Sequence, residues 1–169
     1  SAVLTKVKAM NPDVFYVSLQ NSATGALMLI QAARMGITAQ AMGQDAVYHP
    51  QLMEIAKEAA EGACLTFGYT DTETETYKKF VEANSKYGQV GAYSAYAYDC
   101  AMSLLNAIKA AGSTDPAAVR EAMLKLDFQG ASKHVKFAEN GDSGSNYIIY
   151  KVVDGKFVPF WDPATGAEM

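Results

Sequence analysis

The chain has 169 residues, of which 50% are hydrophobic, 11% aromatic and 19% charged, and these fractions are typical of a soluble globular protein. Its 14 lysines and arginines are scattered among 18 acids and the net charge is −4, which argues against a surface for nucleic acid or anionic lipid. No segment approaches the roughly 20 apolar residues that span a bilayer. Residues 1–6 are typical of the opening of an amphipathic helix rather than of a signal peptide.

The first 67 residues alternate between helix-like and strand-like segments. An opening helix, with Leu4 and Val7 on its apolar face, is predicted to end at the Asn-Pro-Asp sequence of residues 11–13. Short apolar runs then predict three strands, at residues 14–19, 39–43 and 63–67. The inward residues of the two helices between them are predicted to be Ala23, Ala26, Leu27, Ile30 and Ala33, then Leu52, Ile55, Ala56 and Ala59. This β-α-β-α-β order predicts an α/β fold with a parallel sheet and flanking helices.

The pattern changes at residues 68–72, which form the best candidate for a boundary. Beyond it we expect a helix that ends near Gly88, a long helix over residues 94–111, and a third helix that begins at Asp115-Pro116. The residues predicted to face inward are Tyr98, Ala101, Leu105 and Ile108, then Val119, Met123 and Leu126. The tail predicts a C-terminal β meander of residues 135–138, 147–153 and 157–160, joined by the Asn-Gly turn at 140–141 and the Asp-Gly turn at 154–155.

The two cysteines carry little functional information. Cys64 falls in a predicted strand and Cys100 in the long helix, so both are most simply buried small apolar residues. A disulfide between them stays open, because the sequence does not supply the geometry that the bond needs.

The sequence contains few of the patterns that catalysis or metal binding requires. His49 and His134 belong to no spaced metal set, and the chain has no phosphate loop and no nucleophile elbow. Glu73 and Glu75 are explained by the helix dipole, which favours acids in a first turn. The turn at residues 141–144 is acidic and glycine-rich, so weak calcium binding stays open there. Tyr93, Tyr96 and Tyr98 could form a platform on which nucleic-acid bases stack, but they have no basic neighbours. Packing in the core, with one ring kept for function, explains them better.

Polar residues follow the first two predicted strands, where an open α/β sheet binds its ligands. Gln20, Asn21 and Ser22 follow the first strand, and Gln44 and Asp45 follow the second. We expect these amides, the hydroxyl and the carboxylate to lie at one rim of the sheet. The acid would suit a cationic group such as an α-ammonium. Helix capping by Asp45 is the alternative interpretation.

Several motifs in consistent order give the chain an end-to-end resemblance to a known family. They are Asn11-Pro12-Asp13, Gln31-Ala32-Ala33-Arg34-Met35-Gly36, Met42-Gly43-Gln44-Asp45, Ala59-Ala60-Glu61-Gly62, Gly91-Ala92-Tyr93, Tyr96-Ala97-Tyr98-Asp99, Ala111-Gly112-Ser113-Thr114-Asp115 and Phe137-Ala138-Glu139-Asn140-Gly141-Asp142. In these motifs the chain resembles the C-terminal half of periplasmic solute-binding proteins of the leucine/isoleucine/valine-binding family.

The resemblance implies a type I periplasmic-binding-protein-like fold, in which two α/β lobes enclose a solute at a hinge. It implies that residues 1–67 belong to the second lobe, that residues 68–130 are helices returning to the first lobe, and that residues 131–169 form hinge-crossing strands and hairpins. The first helix has no strand before it and the later helices have no sheet of their own, so we also expect the chain to be incomplete without an N-terminal half.

The resemblance also implies a ligand site. It assigns Asp45 to the solute ammonium and Tyr93 to an aromatic contact. Asn21 stands where the family's amino-acid binders have an aromatic residue. Because of this difference, a more polar amino acid or an amide is expected as the solute no less than a branched-chain amino acid. The resemblance also implies that the family's carboxylate-binding loop of serine and threonine residues belongs to the expected N-terminal half. Gln20 and Ser22 complete the predicted site, which needs no metal and no cofactor.

The function implied is capture of an amino acid or a related small polar molecule for an ABC importer, with an ABC permease in the membrane as partner. A sensor or receptor domain of the same fold is the alternative, and no enzyme activity is expected. The resemblance implies a periplasmic or extracellular location, with a membrane anchor in a Gram-positive cell. Because its helices lack a sheet, we expect the chain to dimerise, to swap domains or to pair with its N-terminal half.

Overall fold

The computed structural model of the chain describes residues 2–144 and 146–169. Its elements in chain order are α1 (Ala2–Met10), β1 (Val14–Val17), α2 (Ser22–Arg34), β2 (Gln40–Gly43), α3 (Gln51–Ala56), β3 (Cys64–Gly68), α4 (Glu75–Asn84), α5 (Ser94–Ala111), α6 (Pro116–Met123), β4 (Asp127–Gln129), β5 (His134–Lys136), β6 (Tyr147–Val153), β7 (Lys156–Asp162) and β8 (Ala167–Glu168). Two short 3₁₀ turns, Asp45–Val47 and Lys57–Ala60, flank α3.

The chain divides into two compact units. One, which we name the sheet unit, comprises Ser1–Gly68 and Tyr147–Met169, and the other, the helical unit, comprises Tyr69–Asn146. The boundary near residue 68 agrees with the change of pattern in the sequence. The assignment of segments to lobes and to a hinge stays a prediction.

The sheet unit is built on one six-stranded mixed sheet with the order β1-β2-β3-β6-β7-β8. β1, β2 and β3 are parallel, with Val17 opposite Gly43 and Gly43 opposite Leu65, which confirms the predicted parallel arrangement. β6 runs antiparallel to β3, and β6, β7 and β8 form consecutive antiparallel pairs. The Asp-Gly turn at residues 154–155 joins β6 to β7 as predicted, with both residues at positive φ.

Small apolar residues let α2 and α3 pack closely on this sheet. The core contains Leu65 and Val152 from the strands and Ala26, Leu29, Leu52 and Ala56 from the helices. On α2 the buried face is formed by Ser22, Gly25, Ala26, Leu29 and Ala32, whereas Leu27 is exposed. The predicted inward face of α2 is therefore confirmed at Ala26 and, in part, at Ile30, which packs against this core, whereas it was wrong at Leu27 and Ala33, which are exposed. On the predicted face of α1, Leu4 is buried and Val7 is partly buried.

The helical unit has a long helix, α5, with the bounds that the sequence predicts. α6 begins as predicted, with Pro116 in its first turn and with the Asp115 side chain accepting a hydrogen bond from the backbone N–H of Ala118. Val119 is buried as expected. The predicted inward face of α5 was wrong, because its buried residues are Ala95, Asp99, Ser103 and Ala107. Tyr98, Leu104 and Leu105 are exposed, and we name these three residues the α5 apolar face.

Asp99 explains which side of α5 is buried. Its carboxylate accepts hydrogen bonds from the backbone N–H groups of Ala131 and Ser132, each at 2.7 Å, and from the Ser132 hydroxyl at 2.5 Å. These residues form the turn between β4 and β5. A side chain at Gly130 would collide with the same carboxylate, since a Cβ there would lie 2.4 Å from Oδ2. The Asp99 side of α5 is therefore fixed by a partner about 30 residues later in the chain.

Residues 135–138 do not join the tail meander, contrary to the prediction. β5 pairs with β4, a strand that the sequence analysis missed, and Val135 lies opposite Phe128. The Asn-Gly turn at 140–141 forms, with Gly141 at φ 86°, but it does not connect two paired strands. The meander begins with β6.

The side chain of Lys133 occupies the place where calcium binding stayed open. Its ammonium donates hydrogen bonds to the Ser143 carbonyl and hydroxyl oxygens, each at 2.9 Å, and to the Gly144 carbonyl oxygen. These are the oxygen ligands that a cation would use. The turn at 141–144 thus has an internal cation, which removes the reason to expect a metal there.

Candidate functional site

The carboxyl ends of β1 and β2 lie side by side at one rim of the sheet unit. Val17 and Gly43, the last residues of these strands, are register partners. The loop after β1 leads into α2, and the loop after β2 leads into the Asp45–Val47 turn. Within the sheet unit, the structure thus brings the two predicted loops to one edge. We name residues 18–22 and 44–48 the rim loops.

Gln44 ties the rim loops together. Its amide nitrogen donates a hydrogen bond to the Leu19 carbonyl oxygen at 3.1 Å, and its Oε1 accepts one from the Ser18 hydroxyl at 3.3 Å. The sequence placed Gln44 at the rim but did not indicate this bridge, since its partners lie about 25 residues earlier. The bridge holds the chain before Asn21 against the chain before Asp45.

Asn21 is the N-cap of α2. It has extended backbone angles, and its Oδ1 accepts a hydrogen bond from the Thr24 backbone N–H at 2.9 Å. Its side chain is exposed, as is that of Gln20. Ser22 is different, because it is buried and its hydroxyl donates to Gln51 Oε1 at 2.9 Å. Ser22 therefore connects α2 to α3, and the exposed side chains of this loop are Gln20 and Asn21.

Asp45 opens the 3₁₀ turn of the second rim loop and is partly buried. Its Oδ1 accepts a hydrogen bond from the neighbouring Ala46 backbone N–H at 2.9 Å. The N-cap position belongs to Gln44, which makes no side-chain cap bond, so Asp45 does not cap in the expected way. Among the described residues, no side chain donates to the second carboxylate oxygen of Asp45. That oxygen gives the rim a single negatively charged acceptor.

Two apolar contacts fix the loop that carries Asp45. Val47 is 1% exposed and packs against Gly25 of α2, where an added Cβ would lie 2.6 Å from Val47 Cγ1. The Tyr48 ring stacks against the rings of Phe67 and Phe157, each with centroids 4.2 Å apart. Because α2 also begins in the other rim loop, the close approach at Gly25 sets the spacing of the two loops. Sequence reasoning did not detect this role of Gly25.

Tyr93 lies in the helical unit, at the residue before α5, and its side chain is 50% exposed. Nearby in that unit, the Tyr96 hydroxyl donates to the Tyr69 carbonyl oxygen at 3.3 Å and accepts from the Thr70 hydroxyl at 3.3 Å. Tyr96 thus has a structural role. Tyr98 belongs to the α5 apolar face and contacts Phe80, with ring centroids 5.1 Å apart.

A pocket of about 310 Å³ lies at the other end of the sheet, where β2 and β3 begin. Alanines of α2 form part of its lining, together with Gln40, Glu58 and Glu61. Glu61 accepts hydrogen bonds from the backbone N–H groups of Asp154 and Gly155, so it anchors the β6–β7 turn. The sequence analysis did not predict this pocket.

Neither cysteine has the features of a reactive centre. Both are free thiols within the described part of the chain, so the disulfide does not form. Cys64 is buried, and burial raises the pKa of its thiol, which disfavours the reactive thiolate. Cys100 is exposed, contrary to the expectation of a buried residue.

Two other kinds of feature are absent from residues 2–144 and 146–169. This part of the chain has no group of three or more histidine, cysteine or acidic side chains placed to hold a metal ion. None of the helices described there is long and apolar enough to cross a membrane.

Comparison with known proteins identifies relatives along almost the whole chain. The sequence profile of a family described as periplasmic binding protein matches residues 1–156. A Leu/Ile/Val-binding protein homologue, number 2 of Brucella abortus, is 35% identical over 166 residues, which cover 93% of this chain and 44% of that protein. The chain therefore spans less than half the length of this relative.

Solved structures agree with the sequence comparison. The crystal structure of a leucine-binding protein from Thermotoga maritima is 33% identical, superposes with a TM-score of 0.84, and is matched over 97% of this chain and 49% of that one. A periplasmic binding protein of type 1 from Bordetella pertussis, at 20% identity, has a TM-score of 0.77 over 93% of this chain and 48% of its own. The second match supports the fold alone.

Proposed function

Because this chain belongs to the periplasmic binding protein family, as the profile match over residues 1–156 shows, we propose that it supplies one wall of a solute-binding site. The predicted type I fold is confirmed by its structural relatives. The proposed solute is an amino acid or a related small polar molecule. Capture by hinge closure and delivery to an ABC permease complete the proposal.

The observation that carries the proposal is the construction of the rim. Two loops, one with the exposed Gln20 and Asn21 and the other with the partly buried Asp45, are joined by Gln44 and spaced by the contact of Gly25 with Val47. Polar groups that are held in place before binding lose little conformational entropy when a ligand arrives. This feature suits a site that binds one small molecule.

Asp45 is the proposed partner of the solute ammonium. One carboxylate oxygen is engaged by the backbone of its own turn, which orients the group, and the other is left for a ligand. A charge-assisted hydrogen bond between a carboxylate and an ammonium is worth more than a neutral one. Partial burial of Asp45 favours this pairing, because the effective dielectric is lower there than in bulk water.

The remaining predicted residues have different places in the proposal. Gln20 and Asn21 are exposed at the rim and are proposed to contact the solute. Ser22 was also predicted to contact it, and its hydrogen bond to Gln51 favours a supporting role for its hydroxyl. Tyr93 is proposed to supply an aromatic contact from the helical unit.

The relatives are about twice as long as this chain, so the proposal includes the core of the first lobe, which lies outside these residues. Residues 1–67 are proposed to belong to the second lobe, residues 68–130 to return to the first lobe, and residues 131–169 to contribute the hinge. An extracytoplasmic location is proposed, since the family is periplasmic by description. A catalytic role is not proposed, because the relatives are described as binding proteins.

Calorimetric titration of the full-length protein, with both lobes present, tests the proposal. We expect an amino acid to bind, and its desamino analogue to bind much more weakly. In Asp45→Asn the side chain keeps its shape and can still accept from Ala46, so the expected loss reports the charge. A charged hydrogen bond is worth roughly 1.5–3 kcal/mol, so the dissociation constant should rise about 10- to 100-fold.

Asp13→Asn is the matched control, because Asp13 is an exposed acid just before β1, at the opposite end of that strand. Its affinity for the amino acid should equal that of the unmodified protein. Equal binding of the amino acid and its desamino analogue, unchanged by Asp45→Asn, would remove the ammonium assignment. Failure of every amino acid tested to bind would reject the proposed function.

A sensor domain of the same fold is the second candidate for the biological role. Both candidates use the same rim and the same closure. Reconstitution of uptake with the permease would support transport, whereas closure that changes the activity of a signalling partner would support sensing.

A further inference from the structure

The helix cap at Asn21 determines which hydrogen-bonding groups this side chain can offer a solute. Its oxygen accepts from the Thr24 backbone N–H at 2.9 Å. A backbone N–H cannot donate to an amide NH₂ group, so the cap also settles which end of the amide is oxygen. The two N–H donors therefore lie at the other end, and among the described residues none accepts a hydrogen bond from them.

The position of Asn21 places these donors at the proposed site. The side chain is exposed and follows Leu19, whose carbonyl oxygen is held by Gln44. Asp45 comes directly after Gln44 on the neighbouring loop. The rim thus combines an amide whose NH₂ group has no acceptor among the described residues on one loop with a carboxylate acceptor on the other.

We infer that Asn21 is a specificity-determining residue, which selects amino acids whose side chain carries a hydrogen-bond acceptor over aliphatic amino acids of the same shape. The inference rests on the proposed function, because it needs an amino acid at the rim. A solute oxygen would pair with the Asn21 N–H groups on closure. An aliphatic solute would bury the same donors without a partner.

The expected selectivity follows from this difference. A neutral hydrogen bond contributes modestly to binding, whereas burying an unpaired donor carries the larger penalty. Sites that are built around a polar group therefore discriminate well against solutes that lack its partner. We expect about a tenfold preference for an acceptor-bearing solute over its aliphatic counterpart.

Two pairs of similar solutes make the test sharp. Methionine sulfoxide and methionine differ by an oxygen that can only accept, and asparagine and leucine differ by an amide that both accepts and donates. Dissociation constants for all four are measured by calorimetry on the full-length protein and on Asn21→Asp. Aspartate is as good a helix cap as asparagine, so α2 should be retained, while the donor is replaced by an acceptor.

The two pairs should respond differently to Asn21→Asp. The preference for methionine sulfoxide over methionine should fall by about tenfold or reverse, because the new carboxylate repels the sulfoxide oxygen. The preference for asparagine over leucine should persist, because the amide of asparagine can donate to that carboxylate. A role of Asn21 as a cap alone would leave both preferences unchanged.

Asn21→Ser provides a neutral second variant, since serine also caps a helix and its short side chain lacks the amide. It should reduce both preferences. The inference is overturned if both variants keep the preferences unchanged, or if the unmodified protein prefers the aliphatic solutes. In either case the proposed function survives as long as amino-acid binding still depends on Asp45. Absence of binding by all four solutes and by other amino acids would overturn the proposed function with it.

Discussion

The carboxylate of Asp99 gives a sharp test of how the helical unit is held together. It is 5% exposed and accepts three hydrogen bonds from the turn between β4 and β5. Asp99→Asn keeps the size of the side chain but replaces one acceptor oxygen with an NH₂ group. Either Ala131 or Ser132 then loses the acceptor of its buried backbone N–H.

The structure sets the expected magnitude. Leaving one buried donor without a partner costs about 1–3 kcal/mol, and hydrogen bonds to a charged group are stronger than neutral ones. Gly130 packs against the same carboxylate. A shift of the turn toward solvent would therefore lose that contact as well. We expect the free energy of unfolding of the helical unit to fall by about 2–4 kcal/mol.

The assay is urea unfolding followed by helical circular dichroism, with amide hydrogen exchange at Ala131 and Ser132 as the local measurement. Asp115→Asn is the matched control, because the exposed Asp115 carboxylate accepts a single backbone bond as an N-cap. Asparagine caps equally well, so little change is expected there. If Asp99→Asn behaves like Asp115→Asn in both measurements, the three hydrogen bonds do not hold the turn.

Three further predictions concern other parts of the chain. Gly25→Ala should destabilise the sheet unit by about 1–2 kcal/mol in urea unfolding, because overpacking against Val47 outweighs the gain in helix propensity. Adding Val47→Ala should recover part of the lost stability. A Gly25→Ala variant more stable than the unmodified protein would contradict this prediction. Hydrogen bonds from Lys136 and, to a smaller extent, from His134 lower the pKa of Asp127. The stability that these bonds add to the β4–β5 pair is therefore complete above the ordinary aspartate pKa, and it is lost as the pH falls through the lowered pKa. A carboxyl NMR titration should place that pKa below the ordinary value, and Lys136→Met should raise it; an unshifted titration would refute the pairing. The α5 apolar face should promote association of this chain, and light scattering that finds only the mass of one chain would refute this expectation.

Much of the secondary structure could be predicted because local chemistry specifies it. The apolar runs of β1, β2 and β3 and the helices between them follow from periodicity, and the start of α6 follows from Asp115-Pro116. The rim could also be located, since the carboxyl ends of parallel strands meet at one edge. Strand β4 could not be predicted, because its three residues carry no periodic signal and pair only with β5.

The roles of individual rim residues needed the tertiary structure. The sequence gives Ser22 and Gln20 the same predicted role as polar residues after β1. In the structure the Ser22 hydroxyl donates a hydrogen bond to Gln51 of a different helix. Gln44 becomes the bridge between loops only when β1 and β2 are in register.

The sequence by itself determined that the chain is an α/β protein with polar loops after its first two strands, and it indicated the family through motifs spread along its length. Those features depend on residues that are close in the chain. The tertiary structure decided which side of α5 is buried, which partner engages Ser22 and which group spaces the rim loops. Each of those depends on a contact whose partners come together only when the chain folds, such as Asp99 with the turn at Ala131 and Ser132.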